Sequence, residues 1–119
     1  VLTDKLHHFG QVADQIDLLF VGSSNVYRSV DPVQIDQELA RQGTTIQSFN
    51  FAVPNLNPLE AQRIIDHITE LRPKRLRWVV IEPSLVPFAL DNWATNRARY
   101  FLDWPGLRFS FNYLLLFPY

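Results

Sequence analysis

Two adjacent serines lie in the segment of this chain that is best suited to chemistry. The run GSSNVYRS, residues 22–29, follows the apolar stretch IDLLFV and contains Ser23, Ser24 and Arg28. A serine at the corner after a strand can act as a nucleophile if a base accepts its proton, and outward-facing backbone N–H groups can stabilise the resulting oxyanion. The same serines could instead only bond the backbone of their own turn, which is a common role for serine hydroxyls.

The turn does not match the motifs that bind nucleotides. The dinucleotide motif G-x-G-x-x-G needs three glycines, and only Gly22 is present here. The phosphate-binding loop needs Gly-Lys followed by Ser or Thr, and that sequence is also absent. We therefore expect no nucleotide and no other cofactor.

The histidines that could serve as a base are His7, His8 and His67, and none follows Asn92. Asp4 and His7 have Asp-x-x-His spacing, but they lie on the predicted helix that leads into the first strand. A strand spans about 17–20 Å, so His7 is expected near the opposite edge of the sheet from Ser24. Without cysteine, and with histidines on two separate helices, the sequence predicts no metal site.

Apolar spacing and capping residues predict three helices. The first has an apolar stripe and runs into the strand IDLLFV. Asp31 and Pro32 begin a second helix over 32–42, which ends at Gly43. Asn57 begins a third, which Pro73 ends. The stripe of the first is Leu2, Leu6, Phe9, Ala13 and Ile16, and that of the third is Ala61, Ile64, Ile65 and Ile68.

Strands are predicted between and after these helices, at TTIQSFNFA and RLRWVVIEP, where β-branched and aromatic residues are concentrated. Trp78 in the last of them is expected in the core. Alternating strands and helices predict an α/β fold, a three-layer α/β/α sandwich with a parallel, flavodoxin-like sheet. Ligands of such sheets bind beyond the carboxyl ends of the strands, which is where GSSNVYRS lies.

Length and composition limit the classes of function. The chain has 119 residues, which predicts a single domain over 1–119, and a net charge of −1, which does not suit a nucleic-acid binder. The apolar end FNYLLLFPY is too short to cross a bilayer. That end and the lack of methionine suggest an amino-terminal fragment whose sheet is incomplete at the carboxyl end. Nothing in the sequence specifies a compartment or an oligomeric state.

The run IDLLFVGSSNVYRSVDP, a strand ending in NFAVPN and a proline-initiated helix together resemble the opening of the SGNH hydrolase superfamily, also called GDSL-like esterases. Within it, the chain is most similar to the bacterial branch that includes polysaccharide O-acetyl-transfer proteins. The resemblance covers about residues 16–85. It implies that Ser24 is the nucleophile, that the Ser24 N–H is one oxyanion donor, and that Ser23 replaces the family's aspartate.

The resemblance also implies two further donors. The family's second block centres on a glycine N–H, and Ala52 or Val53 stands there in this chain, whereas Pro54 has no N–H to donate. The third block supplies an asparagine side chain, for which Asn92 is the candidate, although it could equally cap a helix beginning near Asp91. Other asparagines that compete for this role are Asn50, Asn55 and Asn57.

Arg28 and Glu82 are charged residues expected near the carboxyl edge of the sheet. Arg28 could hold an anionic group of a substrate, and Glu82 could pair with it or orient a donor. A rim salt bridge between them is the alternative.

The resulting expectation is a serine esterase or acyl (acetyl) transferase, acting on a small-molecule or polysaccharide acyl ester through an acyl-Ser24 intermediate. The family's late Asp-x-x-His pair is absent, so the fragment is expected to be nearly inert. A non-catalytic binding or assembly domain of the same fold is the alternative. A third possibility is an anion-binding domain that uses the N–H groups of the first turn.

Overall fold

The structure is a computed structural model that describes residues 2–83. These residues belong to the first of two units into which the chain divides, Val1–Ala89 and Leu90–Tyr119. The single domain predicted over 1–119 stays a prediction, and the helix expected near Asp91 lies outside the described residues. Among the helices of residues 2–83, none combines the length and the apolar character needed to span a membrane.

Helices and strands alternate along the described chain. The order is α1 (Leu2–Val12), a 3₁₀ turn (Ala13–Gln15), β1 (Leu18–Val21), α2 (Ser24–Ser29), α3 (Pro32–Arg41), β2 (Ser48–Asn50), α4 (Pro58–Leu71) and β3 (Trp78–Ile81). The three strands form one parallel sheet in the order β2-β1-β3. The α/β class and the parallel sheet predicted from the sequence are confirmed.

Local capping interactions fix the starts of α3 and α4. The Asp31 carboxylate accepts hydrogen bonds from the N–H groups of Val33 and Gln34, and Pro32 occupies the first turn of α3. Asn57 and Glu60 form a reciprocal capping box, in which each side chain accepts a hydrogen bond from the other's N–H. Both caps were predicted, because the residues that form them are only a few positions apart.

The core lies between α1 and one face of the sheet. Phe9 of α1 packs edge-on against Phe49, with 5.2 Å between ring centroids, and against Phe51, with 5.7 Å. Leu19 and Val21 of β1 are fully buried. Successive strand side chains point to opposite faces, so Phe49 faces α1. Its neighbour Ser48 donates from its hydroxyl to the carbonyl of Pro32 in α3, which places helices on both sides of β2.

One buried carboxylate joins the amino ends of all three strands. Asp17, just before β1, accepts a hydrogen bond from the N–H of Gln47, just before β2, at 3.0 Å. The same carboxylate accepts two hydrogen bonds from the guanidinium of Arg75, at 2.7 and 3.3 Å. The backbone carbonyl of Asp17 accepts from the N–H groups of Arg77 and Trp78 at the start of β3. Asp17 is therefore a structural residue at the edge opposite the serines.

β3 differs from the expectation of a core strand. Trp78, predicted in the core, is 50% exposed, and Val79, Val80 and Ile81 are also exposed. Among the described strands, β3 pairs only with β1 and lies at an edge of the sheet. The prediction for Trp78 was wrong because an apolar run shows that a segment favours a strand but does not show where in the sheet that strand lies.

Candidate functional site

The turn after β1 is held by a carboxylate from the end of β3. Glu82 accepts a hydrogen bond from the N–H of Ser23 at 2.6 Å and one from its hydroxyl at 3.1 Å. It accepts a third from the side-chain amide of Asn25, also at 3.1 Å. Ser23 is the N-cap of α2, and its hydroxyl oxygen accepts from the N–H of Asn25. The Ser23 hydroxyl therefore bonds its own turn, a role that the sequence had suggested, and also bonds Glu82, which the sequence had not suggested.

Gly22 is needed at this corner because other groups occupy the space of a side chain. A Cβ at this position would lie 2.4 Å from Cγ2 of Val26 and 2.8 Å from Oε2 of Glu82. Both distances are shorter than real Cβ contacts allow. Because Gly22 has no side chain, Val26 and Glu82 can approach its backbone closely. This approach lets α2 begin immediately after β1 and brings Glu82 against the turn.

Ser24 lies where the resemblance places the nucleophile. It is the first residue of α2, at the carboxyl end of β1, and it is half-buried. Within residues 2–83 its hydroxyl forms no hydrogen bond, in contrast to that of Ser23. Ser24 is thus the serine of this pair whose hydroxyl is not committed to the turn.

The two backbone donors expected from the FAVPN loop are both used within the protein. The N–H of Ala52 donates to Oδ1 of Asn50 at 2.9 Å. The N–H of Val53 donates to the carbonyl of Gly22, also at 2.9 Å. These bonds bring the loop against the serine turn, but neither N–H can reach a substrate oxygen unless the loop moves. The Ser24 N–H is the other backbone donor that the resemblance implied.

Asn50 connects the end of β2 to α2. Its side-chain amide donates to the carbonyls of Val26 and Val30, at 3.1 and 2.8 Å, while its oxygen accepts from Ala52. Asn57 is committed to the capping box of α4, and Asn55 adopts a positive φ of 56° in the loop between them. Asn92, the expected side-chain donor, lies outside the described residues.

Arg28 lies in the last turn of α2 and is exposed. The expected rim salt bridge with Glu82 is not formed, because Glu82 bonds Ser23 and Asn25 instead. Arg28 is therefore at the carboxyl edge, near the serine turn in sequence, and within residues 2–83 it has no carboxylate partner.

A lysine that matches no motif in the sequence lies at the same edge. Lys5 of α1 donates from Nζ to the carbonyl of Asn50 at 2.6 Å, and Nζ lies 4.8 Å from the ring centroid of Tyr27 in α2. Helix α1 therefore runs antiparallel to the strands, and its first turns reach their carboxyl ends. Leu2, Lys5 and Phe9 share helical spacing, so the sequence did contain a signal that Lys5 faces the core.

This course of α1 changes the argument about His7. His7 was expected near the edge of the sheet opposite Ser24, on the assumption that α1 lies beyond the amino end of β1. In the structure α1 instead folds back beside the sheet. His7 is exposed and bonds Gln11, at 3.1 Å. His8 lies against the ring of Phe49, and His67 is exposed on α4. Within the described residues, no three histidine or carboxylate side chains converge into a metal site.

Partial burial lowers the pKa of Lys5 from 10.5 to about 8. The folded chain then binds fewer protons than the unfolded chain between these two values, so stability is expected to rise with pH from about pH 8 to pH 10.5. The charged amine destabilises the fold below that window, and above it both states are neutral. Urea unfolding at several pH values, with Lys5→Met as the reference, measures the effect. A difference between the two proteins that does not change with pH would contradict it.

Comparisons of the chain with protein-family models, curated proteins and solved structures find no match. The geometry at the carboxyl edge is therefore the basis for a functional proposal. It brings the Ala52–Val53 loop and Glu82 against the serine turn, and Lys5 against Tyr27 of the helix that carries Ser24 and Arg28.

Proposed function

We propose that this chain is an SGNH-like serine esterase or acyl (acetyl) transferase domain in which Ser24 is acylated. The observation that carries the proposal is the difference between the two serines of the turn. Ser23 is fully engaged as a cap and by Glu82, whereas the Ser24 hydroxyl is half-buried at the ligand-binding edge without a hydrogen bond in residues 2–83. A hydroxyl so placed is suited to attack an acyl carbon.

We propose a three-layer α/β/α sandwich of flavodoxin-like kind as the fold that supports this site. The order β2-β1-β3 matches the first part of the flavodoxin-like strand order. Contacts of β2 with α1 on one side and α3 on the other are what such a sandwich requires.

In the proposed reaction, Ser24 Oγ attacks the carbonyl carbon of an acyl ester, either a small molecule or an O-acylated polysaccharide. The oxyanion accepts a hydrogen bond from the Ser24 N–H, and a second donor comes from the Ala52–Val53 loop after one of its internal bonds opens. Arg28, exposed in the last turn of α2, holds an anionic group of the substrate. The alcohol leaves, and water or an acceptor hydroxyl then takes the acyl group from Ser24.

A fluorophosphonate probe that labels activated serines tests this proposal. The missing Asp-x-x-His pair predicts a slow reaction, so we expect prolonged exposure to the probe to label the chain at Ser24, with mass spectrometry identifying the modified peptide. Ser24→Ala should abolish labelling, and Ser29→Ala, at the exposed end of the same helix, should leave it unchanged. Labelling that persists in Ser24→Ala, with helical circular dichroism retained, would show that the probe modifies a residue other than Ser24.

A non-catalytic binding or assembly domain is the second candidate. It is favoured by the internal hydrogen bonds of the Ala52 and Val53 N–H groups, which leave the loop closed to an oxyanion. In that case a folded chain should resist labelling at every probe concentration and at every pH between 6 and 10. Absence of labelling in a cooperatively folding chain would replace the esterase proposal with this one.

A further inference from the structure

We propose that Lys5 is the general base for Ser24, so that a serine–lysine pair replaces the histidine of related esterases. This inference rests on the proposed function, and it names the residue that would activate its nucleophile. Serine paired with lysine is a known alternative to the serine–histidine arrangement in other folds.

The position of Lys5 is the first argument. Tyr27 follows Ser24 by three positions on α2, so the two side chains lie on the same face of that helix. Long helical side chains lean toward the amino end of their helix, which directs the Tyr27 ring over the turn that begins with Ser24. Nζ of Lys5 lies 4.8 Å from the centroid of that ring. The amine therefore lies beside an aromatic ring that shares a helix face with Ser24.

The environment of the amine is the second argument. The groups that face Nζ are the Asn50 carbonyl, at the end of β2, and the Tyr27 ring of α2. No carboxylate of residues 2–83 pairs with Lys5, so no ion pair holds it in the charged form. Burial lowers the pKa of Lys5 to about 8, which leaves part of the population as neutral amine near neutral pH.

The other candidate bases are less suited to this role. The Glu82 carboxylate already accepts three hydrogen bonds from the turn, so its oxygens are occupied there. His7 is exposed and bonded to Gln11, and His67 is exposed on α4. Lys5 is a partly buried titratable side chain beside α2 whose contacts are an uncharged carbonyl and an aromatic ring.

The proposed step balances without any further reactant. Neutral Lys5 releases the Asn50 carbonyl and takes the Ser24 proton while Oγ bonds to the acyl carbon. The resulting ammonium gives that proton to the leaving alcohol as the ester bond breaks. In the second half, the amine takes a proton from water or from an acceptor hydroxyl, whose oxygen attacks the acyl carbon. The acyl–Oγ bond then breaks, and Lys5 returns the proton to Ser24.

The rate of fluorophosphonate labelling at Ser24, measured from pH 6 to pH 10, tests the role of Lys5. In the unaltered chain the rate should rise with pH, with a midpoint of about 8. Lys5→Arg keeps a positive charge but cannot release its proton, and Lys5→Met keeps the apolar stem. Both should lower the rate at pH 8 about 10²-fold and remove the pH midpoint. Lys74→Met changes an exposed lysine far from the turn in sequence, and it should alter neither the labelling rate at pH 8 nor the pH midpoint.

Chemical rescue separates catalysis from folding. Lys5→Ala should regain labelling on addition of methylamine, in proportion to the concentration of its neutral form. Labelling at Ser24 that is unaffected by Lys5→Arg and Lys5→Met would overturn the role of Lys5 while leaving the esterase proposal intact. No labelling of the folded, unaltered chain at any pH would overturn both. Lys5 would have a purely structural role if its variants lost labelling at Ser24, showed altered circular dichroism and were not rescued by methylamine.

Discussion

Replacing Asp17 with alanine is expected to lower the free energy of unfolding by about 3 kcal/mol. The Asp17 side chain is only 5% exposed, and its oxygens accept hydrogen bonds from Gln47 and Arg75. The variant would leave the Gln47 N–H and a guanidinium without their acceptor at the amino ends of the strands. Arg75 is 53% exposed and can be hydrated, which places the loss at the low end for a broken buried pair. Urea unfolding followed by circular dichroism measures it.

The Asp14–Lys74 pair provides a matched control for Asp17. Its N–O distance is 2.7 Å, the same as that between Asp17 and Arg75, but both of its side chains are largely exposed. Asp14→Ala should therefore change stability very little, because solvent screens the pair. If Asp14→Ala and Asp17→Ala lowered the free energy of unfolding equally, burial would not decide how much these carboxylates contribute to stability.

Gly22→Ala is expected to reduce labelling at Ser24 strongly, while the chain still folds. The added Cβ would lie 2.4 and 2.7 Å from atoms of Val26 and 2.8 Å from Glu82. Relief requires α2 or Glu82 to move, at a cost of about 1–3 kcal/mol. A shift of about 1 Å at a reacting group can reduce a rate about 10²-fold, and Ser24 is the proposed nucleophile. We expect labelling at Ser24 to fall by about that factor while the chain still unfolds cooperatively.

Gly10→Ala is the control for this substitution, because nothing lies within 4 Å of a Cβ at that position of α1. Alanine there should stabilise the helix by about 0.5–1 kcal/mol and leave labelling unchanged. The double variant Gly22→Ala/Val26→Ala removes the closest contact and should recover part of the labelling rate. Wild-type labelling in Gly22→Ala alone would mean that the turn is not held as tightly as these distances indicate.

The sequence predicted best the features that depend on neighbours along the chain. The caps at Asp31 and Asn57, and the end of a helix at Gly43, involve residues a few positions apart, and all three are observed. The parallel sheet followed from alternating strands and helices. The strand around TTIQSFNFA was predicted too long, since only Ser48–Asn50 pair as a strand, although Phe51 still donates to the carbonyl of Phe20.

The candidate site was harder to predict because its bonds join distant segments. Glu82 reaches Ser23 across 59 positions, and Lys5 reaches Asn50 across 45. No periodicity in the sequence specifies such contacts, and the internal use of the Ala52 and Val53 N–H groups was equally invisible. Ser24 itself could be located from the turn after β1, whereas the engagement of its neighbour Ser23 by Glu82 required the fold.

The antiparallel course of α1 has a practical consequence for protein engineering. Leu2 lies less than one helical turn from Lys5, whose amine contacts the end of β2 and the ring of Tyr27. An affinity tag or fusion partner joined ahead of Leu2 would therefore start close to the carboxyl ends of the strands, the edge at which the serine turn lies. Labelling experiments on this protein should place purification sequences elsewhere or remove them by proteolysis first.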